Sequence, residues 1–113
     1  MPPRGWRLRV EDILEAIGSI EIYITGMTFE QFRADRKTVD AVVRNLEVIG
    51  EAARHLSSDR LDDLPADIPW ADIAAMRNLL IHEYFGVDIA IIWETITGDL
   101  PQLRAALERL LRS

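Results

Sequence analysis

The sequence contains no cysteine, which removes disulfides, thiolate metal sites and cysteine nucleophiles together. It is also nearly without lysine: twelve of its thirteen cationic side chains are arginines, the residue suited to bidentate contacts with phosphate or carboxylate. Long apolar runs are missing. The longest, such as Ile89 to Trp93, fall far short of the roughly 18 residues that suggest a transmembrane helix. The amino terminus, Met-Pro-Pro-Arg-Gly-Trp-Arg, is basic, but Glu11 and Asp12 interrupt it before any stretch that could serve as a signal peptide. The expected compartment is therefore the cytoplasm, with no membrane association. Internal repeats and low-complexity segments are absent as well.

What remains is the composition of an ordinary folded domain. The 113 residues are 49% hydrophobic and 28% charged, close to the averages for soluble globular chains. A chain of this length can hide about 60 to 70% of its unfolded surface, so one domain over residues 1–113 is expected. Thirteen basic against nineteen acidic side chains leave a net charge of -6, the wrong sign for coating nucleic acid by counterion release. Any chemistry on nucleic acid must therefore rest on a local cationic cleft.

Hydrophobic spacing predicts helices throughout. Val10, Ile13, Ile17, Ile20 and Ile24 form one stripe over about Leu8 to Ile24, with Ile22 opposite it. Gly26 can stop this helix, and Thr28-Phe29-Glu30-Gln31 fits a capping box opening a short helix to about Ala34. A longer helix, starting near Arg36 to Thr38 and ending near Leu56, carries Val39, Val42, Val43, Leu46, Ile49, Gly50, Ala53 and Leu56 on one side. Gly50 within that stripe points to a close helix approach. Ser57 to Pro69 reads as the longest loop. Trp70, Ile73, Met76 and Leu80 then make the inward stripe of the next helix. Asp88 can cap a helix over about Ile89 to Thr97 that is apolar on nearly every side, which requires burial in the core or between subunits. Gly98 and then Asp99-Leu100-Pro101-Gln102 read as a stop and a fresh start, with Leu100, Leu103, Leu107 and Leu110 facing inward. The expected architecture is all-α, an up-down bundle of about five helices.

Chemically distinctive side chains concentrate in one place. Arg77, Asn78, His82 and Tyr84 bring a cation, an amide, an imidazole and a phenol into eight consecutive residues, in the order R-x-x-x-x-H-x-Y. At 100° per residue Tyr84 falls about 20° from Arg77 on a regular helix, and His82 about 140° away. Arg77 and His82 therefore share a site only if the helix bends before His82 or if two subunits contribute. The plain alternative is an exposed arginine paired with Glu51 or Glu83, and a histidine serving the helix dipole.

This motif, with Ile68-Pro69-Trp70, the run from His82 to Asp88, Asp99-Leu100-Pro101, Arg44-Asn45-Leu46-Glu47 and Ile49-Gly50-Glu51-Ala52, resembles the HepT-like toxins of the HEPN superfamily. The resemblance implies a helical homodimer and a metal-independent endoribonuclease. It also implies the toxin half of a type VII-like pair, whose antitoxin, a minimal nucleotidyltransferase, silences the toxin by adenylylating the tyrosine matching Tyr84. In that reading His82 is the general acid or base, Arg77 stabilises charge on the phosphoryl oxygens, and Asn78 supports one of them. No cofactor is expected, and one imidazole without a carboxylate cluster is a poor metal site. Two other readings stand beside it. One is a non-catalytic HEPN subunit that docks a nucleotidyltransferase and presents substrate or nucleotide to it. The other is a purely structural dimerisation bundle.

Overall fold

The computed structural model describes residues 5–58, 68–82 and 88–112, apart from the side chains of residues 57, 58, 79, 81 and 82. Within these limits all regular structure is helical. The elements are α1 (Trp6–Tyr23), α2 (Phe29–Ala34), α3 (Arg36–Ser58), α4 (Trp70–His82), α5 (Ile89–Glu94) and α6 (Leu100–Arg112).

The local signals act as their chemistry requires. Gly26 adopts a left-handed φ of 75° just past α1, a conformation that side chains with a Cβ rarely take. Two residues later the capping box closes. Gln31 N–H donates to Thr28 Oγ1 at 3.2 Å, and Thr28 N–H donates to Gln31 Oε1 at 2.9 Å. Asp88 caps α5 by accepting from Ala90 N–H at 2.8 Å. The segment between α3 and α4 is described only from Ile68, which is buried.

Helix α3 is the centre of the bundle, packing against α1, α2 and α4. Its stripe of Val39, Val42, Val43, Leu46, Ile49, Ala53 and Leu56 is buried, and it meets Val10, Ile13, Ile17 and Ile20 of α1 in a single core. The stripe on α4 is less even: Trp70 and Leu80 are buried, whereas Ile73 and Met76 are only partly covered. Phe32 packs against Trp93 with ring centroids 5.1 Å apart and planes tilted by 38°, which fastens α2 to α5. Helix α6 closes the bundle on α1 through Leu107 and Leu110.

At Gly98 the chain does not stop. A π-helical turn, Thr95–Asp99, joins α5 to α6, and Leu100 has ordinary helical dihedrals. Pro101 has no N–H to donate to a carbonyl four residues back. The wider turn accommodates that loss, and the Gln102 amide donates to the Gly98 carbonyl at 3.3 Å. The apolar surface of α5 divides in two: Ile92 and Ile96, in the following turn, are buried, while Ile91 is 57% exposed. Ile22 is also exposed, as its position opposite the α1 stripe requires.

Candidate functional site

Gly50 creates the site before any charged group enters it. A Cβ at this position would lie 2.4 Å from the Cβ of Arg77 and 3.2 Å from its backbone N and Cα. Only the missing side chain lets α3 and α4 come together there, and the contact fixes where the Arg77 side chain begins.

The next residue of α3 supplies its partner. Arg77 Nε lies 2.6 Å from Glu51 Oε2, and that buried oxygen makes the contact as an ion pair without the alignment of a hydrogen bond. The other oxygen serves the same helix: Arg54 Nη2 donates to Oε1 at 2.8 Å, and His55 Nε2 lies 3.1 Å from it. An ionised carboxylate only accepts, so this last contact places a proton on His55 Nε2. The hydrogen bond from Arg54 lowers the carboxyl pKa, and the charges of Arg54 and Arg77 add to it against the opposing effect of burial. Glu51 is therefore held below the usual glutamate range. Its carboxylate takes up Nε of Arg77, and no hydrogen bond among the described residues uses the terminal amino groups of that guanidinium.

Arg77 also lines a recess of about 230 Å³ formed with Arg9 and Asp12 of α1 and with Arg44, Glu47 and Glu51 of α3, over Val48 and Ala52. The arrangement provides a fixed guanidinium with unused donors beside open space, which suits an anionic group. A larger cleft of about 610 Å³, lined by apolar groups such as Ile73, Met76 and Leu103, shares no lining residue with it, and its arginine is Arg109 of α6.

Of the residues singled out from sequence, Arg77 stands on the recess and Asn78 is exposed beside it on α4. His82 is the last residue of α4, with its side chain outside the described residues, and Tyr84 and Glu83 lie outside them altogether. Helix α4 runs from Trp70 to His82, so Arg77 and His82 both stand on it. Between the two partners suggested for Arg77, the structure gives Glu51. His55 was not singled out, although Glu51-x-x-x-His55 is the helical spacing that brings two side chains together. Arg9 carried no local signal at all.

The family model described as Ribonuclease HepT-like matches residues 13–110. Among curated proteins, the chain is 46% identical over 101 residues to "Probable ribonuclease HepT" of Thermococcus cleftensis, covering 89% of this chain and 91% of the relative. It is 40% identical to a "Putative RNase" of Caldanaerobacter subterraneus, with 91% of each chain covered. It is 38% identical to a "Putative RNase" of Methanocaldococcus jannaschii, with 99% of this chain and 92% of the relative covered. No solved structure gives a significant match.

Proposed function

The chain belongs to the HepT-like ribonuclease family, and on that premise we propose that it is a metal-independent endoribonuclease, the toxin of a pair whose antitoxin is a minimal nucleotidyltransferase. The observation that carries this reading is Arg77, anchored by Nε to Glu51 with its terminal donors unused beside a recess. In strand cleavage a 2′-hydroxyl gives up its proton to a base, the 2′ oxygen bonds to phosphorus, and the bond from phosphorus to the 5′ oxygen breaks as an acid protonates that oxygen. Arg77 stabilises the phosphoryl oxygens while their charge grows. His82 performs one of the proton transfers, and Asn78 orients the imidazole or holds a phosphate oxygen.

On a regular helix Arg77 and His82 fall about 140° apart. We therefore place the working site between two protomers of a homodimer, with two arginines and two histidines around one cleft. Tyr84 is the acceptor for adenylyl transfer in this proposal: a nucleotide attached there adds a phosphate charge and a bulky base that close the cleft. The net charge of -6 favours a second reading, a non-catalytic subunit that docks the transferase.

The test is cleavage of mixed cellular RNA by unmodified protein in excess chelator, beside a His82→Ala protein whose helical content is unchanged. Cleavage by the first and a loss of about 10²-fold or more in the second is expected. No cleavage by a folded dimer would transfer support to the docking subunit. For Tyr84, the Tyr84→Phe protein should stay active and take up no adenylyl group from ATP and the transferase; labelling that persists would place the acceptor elsewhere.

A further inference from the structure

The arginines divide according to whether the protein itself uses them. Among the described residues, Arg33, Arg36, Arg54 and Arg104 each hold a carboxylate, and Arg7 donates to the Leu111 carbonyl at 3.1 Å. The side chains of Arg9 and Arg44, like those of Arg109 and Arg112, make no ion pair or hydrogen bond among those residues, although Asp12 and Glu47 line the same recess as Arg9 and Arg44. Together with Arg77 they bring guanidinium groups from α1, α3 and α4 to one opening. The lining is charge-balanced, with Arg9, Arg44 and Arg77 against Asp12, Glu47 and Glu51, but cations that leave neighbouring carboxylates unpaired keep their donors available to an outside anion.

We propose that the recess is a second phosphate subsite, in which Arg44, backed by Arg9, holds the phosphodiester next to the one that Arg77 steadies on a single RNA strand. The inference rests on the ribonuclease reading and extends it from the cleaved bond to the flanking nucleotide. The mixed charge of the recess fits a nucleotide better than a bare phosphate ion. Arg44 and Arg9 take the phosphate oxygens, while Asp12 and Glu47 can accept only from ribose hydroxyls or base amino groups. The same carboxylates repel phosphates lying off this path, so the recess sets the line of the strand as well as contributing affinity.

The experiment is a binding titration of a short single-stranded RNA, 2′-O-methylated throughout to prevent cleavage, over a series of salt concentrations. The proteins are wild type, Arg44→Gln, Arg44→Lys and, as a control on the far end of α6, Arg112→Gln. Each phosphate neutralised on a single strand contributes about 0.7 to the slope of log affinity against log salt. Arg44→Gln should bind on the order of tenfold more weakly, with a slope shallower by about that amount. Arg44→Lys and Arg112→Gln should keep the wild-type slope. An unchanged slope in Arg44→Gln overturns the subsite. So does a fall from dimer to monomer on sedimentation of that variant, which would make the recess a subunit contact. Should the wild type cleave ordinary RNA while its slope ignores Arg44, the subsite alone fails. Should its binding depend on Arg44 while ordinary RNA stays intact, the ribonuclease reading fails and the subsite stands.

Discussion

Arg77 and Arg104 are buried to the same degree, with side chains 30% and 32% exposed, and each ties two helices together. Their surroundings are opposite. At the α1–α6 seam two carboxylates serve one cation: Arg104 Nε donates to Glu21 at 3.1 Å, Nη1 to Glu108 at 3.2 Å, and Nη2 to the second Glu21 oxygen. All three nitrogens are engaged, and the guanidinium pKa is raised, chiefly by the hydrogen bond to Glu21. At the α3–α4 seam one carboxylate serves Arg77, Arg54 and His55. The first arrangement engages every nitrogen of its arginine with a carboxylate. The second supports its arginine by a single nitrogen and leaves positive charge in excess, so partner stoichiometry, and not burial, separates a structural arginine from one available for chemistry.

The comparison can be strained most severely at Gly50. Gly50→Ala places a methyl against the Arg77 backbone, and we expect it to lower stability by about 1–3 kcal/mol in denaturant titration despite the better helix propensity of alanine. RNA cleavage should fall on the order of 10²-fold as Arg77 is displaced. An active and equally stable Gly50→Ala protein would mean that the close approach does not set the site.

A smaller effect is expected from Glu51→Gln, which preserves the shape but removes the charge that holds Nε. Its kcat should drop about tenfold with KM nearly unchanged, since the altered contact matters when charge develops at phosphorus. Stability should change by less than about 1 kcal/mol, as expected for partly exposed ion pairs. A rise in KM alone would identify Glu51 with substrate binding instead of with positioning Arg77.

The smallest effect lies in the pH dependence. The folded-state pKa of Glu51 is depressed, with the Arg54 hydrogen bond as the largest cause. Its contribution to stability is therefore complete above the ordinary glutamate range and is lost as pH falls through the depressed value. Acid unfolding curves of wild type and Glu51→Gln should converge at low pH and separate slightly above it. Curves that diverge toward acid would contradict the sign of this linkage.

The parts of the molecule legible in the sequence are those governed by near neighbours. Thr28 and Gln31 read as a capping box, Asp88 as a cap, and the α3 stripe as a buried face because each depends on spacings within one or two turns. Gly50 also announced a close approach, because a glycine inside an apolar stripe has few other uses. The π-helical turn at Thr95–Asp99 was hidden, since Gly98 and Pro101 ordinarily end helices and only tertiary packing carries the chain through them. The site was legible in part. Arg77 stood out by its motif, and Glu51 was one of two partners suggested for it. The recess escaped notice because Arg9, Arg44 and Arg77 belong to three helices, and no periodicity links residues so far apart in sequence.

Arg77 is proposed to serve the substrate, whereas Arg104 serves the fold. Single-turnover RNA cleavage and denaturant titration, carried out side by side on Arg77→Gln and Arg104→Gln, test this division most directly. Arg77→Gln should lose about 10²-fold or more in cleavage with little change in stability, as for removal of a donor aimed at developing charge. Arg104→Gln should cleave as wild type and lose up to about 1 kcal/mol in stability. Equal cleavage by the two variants, or a loss of cleavage confined to Arg104→Gln, would contradict it.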